Sequence, residues 1–170
     1  GGYAYGPYGG AGRAAVYDPS TGTYGRAAYA YGPHGSAYVK SAYNPSTGNY
    51  ARRSGGTNEY GSWGKSVVSD GTDWAKAGYK SNWEKSVAGF KSSSGAKGIA
   101  GKNKITGDSG FIIKDKHGDI YAGKDGKIYK NENGEWTERT KNDWAKVQDK
   151  PKTRPSTQPT KRPTTRPSTQ

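Results

Sequence analysis

No cysteine, no methionine and no leucine occur in the 170 residues of this chain. The missing cysteine excludes disulfide frameworks, thiolate zinc sites and cysteine nucleophiles together, and is compatible with export. The missing leucine leaves six Val, six Ile and two Phe as the large aliphatic and Phe content. That is about 8% of the chain, well under the roughly 20% below which a charged chain is expected to be disordered. A compact Leu-rich interior is therefore excluded. Acids are scarce too, 14 Asp and Glu against 27 Lys and Arg, for a net charge of +13. No apolar run approaches the 18 residues of a membrane-spanning helix. No initiator Met or signal peptide opens the sequence, which starts inside a repeat and so predicts a piece of something longer.

Aromatic residues are what the chain does contain. Fourteen Tyr and five Trp are far more than a disordered segment carries, and they predict a fold that buries ring faces, Ala and a little Val and Ile. The basic balance favours polyanions, whether nucleic acid, anionic polysaccharide or a lipid surface, without choosing among them.

The first part, residues 1–72, is a repeat. Tyr17–Tyr24, YDPSTGTY, returns 26 residues later as Tyr43–Tyr50, YNPSTGNY, and Tyr3–Gly9, YAYGPYG, returns at the same offset as Tyr29–Gly35, YAYGPHG. A decayed third copy follows, with Tyr60–Gly64 and Ser69–Thr72 in place of the two turns. Asp or Asn before Pro opens a turn, Pro fixes φ, and a following Gly supplies φ > 0. Two turns per 26 residues predict strands of about six to eight residues. The unit is a hairpin, and a hairpin cannot bury a face alone, so copies must stack on one another.

The second part, residues 73–142, is a tighter β-meander. Gly110, Gly118, Gly126 and Gly134 fall eight residues apart, each before a short β-prone run, and His117-Gly118, Asp125-Gly126 and Asn133-Gly134 read as primed hairpin turns. Asp143–Val147 has the composition of a single helical turn. The third part, residues 143–170, is a Pro/Thr/Arg-rich extended tail with a proline every fourth residue from Pro151 to Pro167. That density favours polyproline II. The tail reads either as a flexible linker or as a mucin-like stalk, whose candidate O-glycosylation sites are Thr153, Ser156, Thr157, Thr160, Thr164, Thr165, Ser168 and Thr169.

Motifs for chemistry are weak. Gly61–Ser66, GSWGKS, lacks the upstream Gly of a phosphate loop, since Glu59 stands there, and it precedes a strand rather than a helix. His34 takes the place of Tyr8 in the other copy, which marks it as exchangeable, and His117 sits in a turn between Asp115 and Asp119. Asp115, Asp119 and Asp125 are expected to crowd one edge of the meander, without the spacing of a calcium loop. These observations predict no catalytic residue, no metal site and no cofactor. Aromatic rings beside cations can stack on sugars or bases, and Arg13, Arg26, Lys40, Arg52 and Arg53 are the candidate polyanion-binding residues. The same rings can also serve the sheet, by stacking across strands.

The motifs YGPYG, Y[DN]PxTGxY, EYGSWG, DGTDWA and the YAGKDGKIYK ending, taken together from Tyr3 to Trp144, resemble a class of exported bacterial Tyr/Gly-rich repeat proteins. The resemblance implies export to the envelope or the extracellular space and β-rich repeats, and it carries over no catalytic residue. The Lys-rich meander departs from Arg-rich members of that class and leaves the partner open. The sequence therefore predicts an all-β fold of stacked hairpin repeats, a meander and a tail. The expected function is that of a non-enzymatic structural protein of a cell surface or matrix, assembling with itself into a fibre through strand pairing. The alternative is an adhesion module for acidic polysaccharide or nucleic acid.

Overall fold

In the computed structural model, which describes residues 1–147, the chain forms fourteen strands. These are β1 (Gly2–Gly6), β2 (Gly9–Asp18), β3 (Thr23–Gly32), β4 (Gly35–Tyr43), β5 (Tyr50–Asn58), β6 (Gly61–Ser69), β7 (Trp74–Ser81), β8 (Lys85–Ser92), β9 (Lys97–Asn103), β10 (Ser109–Lys114), β11 (Ile120–Lys124), β12 (Lys127–Glu132), β13 (Glu135–Arg139) and β14 (Trp144–Lys146). All are antiparallel and lie in chain order in one sheet. Only strands that follow one another in sequence touch, so among the described residues the sheet is a single open layer with no second layer packed on either face. The hairpins stack side by side, and the ladder runs through residues 72 and 73 unbroken, with β6 and β7 paired from Ser62↔Ser81 to Ser69↔Trp74. The tail residues from 148 onward, with all eight candidate glycosylation sites, lie outside the described residues.

Several expectations need correction. Strands β2–β6 run nine or ten residues rather than six to eight, because pairing continues through the Gly and Tyr that flank each turn, up to Gly32↔Gly35 and, past Tyr17↔Tyr24, to Asp18↔Thr23. Residues 143–147 make no helical turn: Trp144–Lys146 pairs with β13 as a strand. Asp125-Gly126 and Asn133-Gly134 are primed turns with positive φ at both positions. His117-Gly118 is not, because Asp115 widens that loop: its Oδ1 accepts from the His117 and Asp119 amides, and its own amide donates to the Asp119 carbonyl.

The largest departure concerns the core. No hydrophobic side chain is buried among the described residues. Among the described residues the only buried ones are Gly55, Gly56, Gly64 and Gly123. Each lies directly opposite an aromatic residue in the ladder: Tyr38, Trp63, Tyr79 and Phe111. At Gly64 and Gly123 the ring occupies the space that a Cβ on the glycine would need, and at Gly55 and Gly56 the ring and a neighbouring backbone carbonyl share it. Tyr29 covers Gly12, Tyr31 covers Gly10 and Phe90 covers Gly98 in the same way. Ring-on-glycine pairs thus replace a second layer. The ring shields backbone hydrogen bonds from water, and the glycine supplies a flat seat for it.

The Y[DN]PSTG turns sit side by side along one end of the strands. In each, the first side chain caps the turn: Asp18 accepts from the Ser20 amide and hydroxyl and the Thr21 hydroxyl, and Asn44 accepts from the Ser46 and Thr47 amides. Asp70 repeats the device with Thr72 and Asp73. The exchange of Asp18 for Asn44 between the copies has a reason. Asn44 Nδ2 donates to the Thr21 carbonyl at 2.6 Å and to Thr23 Oγ1 at 3.2 Å, tying the second turn to the first. The tyrosines that bound the motif continue the ladder, Tyr17–Tyr24–Tyr43–Tyr50, one per strand. The first two rings are 4.7 Å apart between centroids. The motif is written twice because its turns bond laterally and its tyrosines form one row.

Candidate polyanion-binding face

Directly opposed residues of an antiparallel ladder share a face, so the register assigns every strand residue to one side of the sheet. The charges are divided unevenly. One face carries Arg13, Arg26, Arg52, Lys65, Lys76, Lys80, Lys85, Lys91, Lys97, Lys114, Lys124 and Lys127, with Glu138 as its sole strand acid. The other carries Lys40, Arg53, Lys102, Lys130, Arg139 and Lys146 with Asp18, Glu132 and Glu135. It also presents Tyr3, Tyr5, Tyr29, Tyr31, Tyr38, Tyr79, Phe90, Phe111 and Tyr121. We refer to the two as the basic face and the low-charge face.

The five candidate cations do not form one site. Arg13, Arg26 and Arg52 line a shallow groove of about 690 Å³ on the basic face, with Ala28, Val39 and Tyr50. Lys40 and Arg53 project from the low-charge face, where they oppose each other directly. Arg52 and Arg53 are adjacent in sequence, and the strand pleat sends them to opposite sides.

A row that sequence reading missed runs across the basic face. Arg26, Ser41, Arg52, Val67, Lys76, Lys91, Lys97 and Lys114 are consecutive cross-strand partners from β3 to β10. Its last four members are lysines opposed without interruption. All four are exposed, and among the described residues none has a carboxylate within ion-pair distance. Lys76 rests over the Trp74 ring at 4.7 Å. Toward the C-terminal end of the sheet the pattern reverses: Lys127 pairs with Glu138, Lys146 with Glu135, and Lys130 with both Asp119 and Glu132. The Glu132 carboxylate, with Asp119 beside it, raises the Lys130 ammonium above the usual lysine range.

The carboxylates do not converge. Asp115 and Asp119 lie in the β10–β11 loop and Asp125 in the β11–β12 turn, at opposite ends of β11, so they cannot crowd one edge. Asp125 accepts from the Ser109 amide. His34 and His117 likewise occupy turns at opposite ends of the strands. Among the described residues no group of three or more His, Cys, Asp or Glu could hold a metal ion, and no helix is long and apolar enough to cross a membrane. Comparison with protein-family models, with curated proteins and with solved structures returns no match.

Proposed function

We propose that the chain is a non-enzymatic structural protein of an extracellular or envelope surface, and that copies of it associate through the low-charge face. The observation that carries this reading is a fourteen-stranded layer with no buried hydrophobic side chain, one face of which is rich in uncovered rings. Tyr3 and Tyr5 are 77% and 80% exposed. Contiguous apolar surface of this kind marks an interaction site in a folded protein. Two low-charge faces can meet at the usual sheet spacing of about 10 Å, whereas two basic faces repel. The resemblance to exported Tyr/Gly-rich repeat proteins supports the surface location.

Sedimentation at neutral pH over a range of concentrations tests the reading. Association is expected, and it should weaken in the Tyr3→Lys, Tyr5→Lys variant. A chain that stays monomeric at high concentration would sink it. Electron microscopy of the same samples separates face pairing, which gives closed pairs, from strand-edge pairing, which gives filaments.

A second reading, a binding module for an acidic polymer, is favoured by the division of charge between the faces. Its general signature is an affinity that falls linearly with the logarithm of salt concentration.

A further inference from the structure

The Lys76–Lys91–Lys97–Lys114 row makes the second reading specific, and does not depend on self-association. Like charges placed directly opposite each other in a ladder destabilise a sheet. Elsewhere the chain supplies acids: Lys127, Lys130 and Lys146 of β12 and β14 each pair with a carboxylate, although Lys124 opposes Lys127 directly. Across β7–β10 no acid is supplied. Four lysines instead follow one another across neighbouring strands, whose backbones lie about 4.8 Å apart, on an exposed surface.

The geometry discriminates among polyanions. The row crosses four adjacent strands with one lysine on each, so it suits a polymer that presents one charge per repeat along its length. A nucleic acid duplex winds its phosphates around an axis, and the row would meet them only in passing. A single strand is held by stacking its bases on aromatic platforms, interleaved with the cations. Here Trp74 stands beside Lys76 alone, and the same-face neighbours along the strands of Lys91, Lys97 and Lys114 include Gly89, Ile99 and Ile112, with no ring. Ile99 and Ile112 stand next to Lys97 and Lys114 on the same face, at the margin of a shallow groove of about 620 Å³ that runs away from the row and is lined also by Val87, Asp108, Lys124 and the Tyr129 ring. A sugar ring can lie on the two isoleucines with its carboxylate turned to Lys97 and Lys114. Lysine is a compact point charge, suited to single carboxylates, whereas the forked guanidinium that recognises phosphate bidentately is absent from these four positions.

We infer that the lysine row of β7–β10 is a binding site for a linear acidic polysaccharide bearing one carboxylate per sugar. The test titrates the full chain with polygalacturonate and with a single-stranded oligodeoxynucleotide of equal charge, at several salt concentrations. Polygalacturonate is expected to bind more tightly, with log K falling by roughly three units per tenfold salt for four released counterions. The Lys91→Gln, Lys97→Gln variant should lose about tenfold or more in affinity and flatten that slope by about two. The Lys40→Gln, Arg53→Gln variant, on the opposite face, should bind as the parent does. Equal losses in both variants, tighter binding of the oligonucleotide, or no binding of polygalacturonate at low salt would overturn the assignment. Removing lysines relieves repulsion, so the first variant is expected to unfold no more easily than the parent, and a denaturant melt checks this. Sedimentation of the same samples reads self-association separately. Polymer binding lost with association kept sinks this inference alone, and the reverse sinks the structural reading alone.

Discussion

The ring of Phe111 fills the space above Gly123, its direct partner across the β10–β11 ladder, where a side chain on that glycine would otherwise stand. Gly64 is covered in the same way by Tyr79. In an ordinary strand a Gly→Ala change stabilises by restricting the unfolded chain. Here it must displace a ring. Gly123→Ala and Gly64→Ala are each expected to destabilise the sheet by about 1–3 kcal/mol, the scale of overpacking. Denaturant melts measure the loss, and a double-mutant cycle of Gly123→Ala with Phe111→Ala should show a coupling above about 0.5 kcal/mol, because the clash vanishes with the ring. Additive effects would remove the ring-on-glycine account.

Asn44 binds its neighbour as a donor, through Nδ2 to the Thr21 carbonyl. Asn44→Asp keeps the cap on Ser46 and Thr47 and turns a carboxylate oxygen toward that carbonyl. The expected cost at neutral pH is about 1–2 kcal/mol, that of an interturn hydrogen bond lost with an acceptor left facing an acceptor. The melting temperatures of variant and parent at pH 7 check this. Asp18→Asn, at the equivalent position of the first turn, should cost less at neutral pH, since the amide oxygen can keep the two Ser20 donors while the Thr21 hydroxyl turns to accept from the amide nitrogen.

The Asp18 carboxyl is held below the usual carboxylate range, first by the Ser20 hydroxyl, then by the Thr21 hydroxyl and the Ser20 amide. Asp70 is lowered by the Asp73 and Thr72 amides. For a folded-state pKa below the unfolded one, stability is present above the unfolded value of about 3.9 and is lost as pH falls through the folded value. The β2–β3 and β6–β7 turns should therefore loosen in acid while the strands stay paired. Amide exchange at Gly22, whose NH donates to the Asp18 carbonyl at 2.8 Å, should accelerate below about pH 4. Unchanged exchange down to pH 2 would contradict the assigned role of the cap.

The β class and most of the turns were legible in the sequence, because turn chemistry is local. Y[DN]PSTG, Asp125-Gly126 and Asn133-Gly134 specify backbone angles within a few residues. The faces were not legible, because register is a property of two strands at once. Lys76, Lys91, Lys97 and Lys114 look scattered along the chain and become a row only when three ladders are aligned. Arg13, Arg26, Lys40, Arg52 and Arg53 look like a cluster and are divided by the pleat. The expectation of buried rings failed for a related reason. Composition reports that rings must be covered or cover something, and only the register shows that they lie across glycines. Trp144 and its neighbours have no turn signal of their own, and β13 draws them into a strand through pairs such as Arg139↔Trp144.

Contact confined to consecutive strands makes this sheet a one-dimensional object. Its stability is a sum over hairpins and the ladders between them, with no term linking distant parts of the chain. Each ladder closes a loop of only a few residues, so folding can start at any turn and spread in both directions, at low contact order. Length then becomes a free variable. Whole hairpins can be gained or lost with the cost of one rung, and both faces extend or shorten in proportion. For a protein that works at a surface, that is a way to set reach, and the number of sites along it, without redesigning a fold.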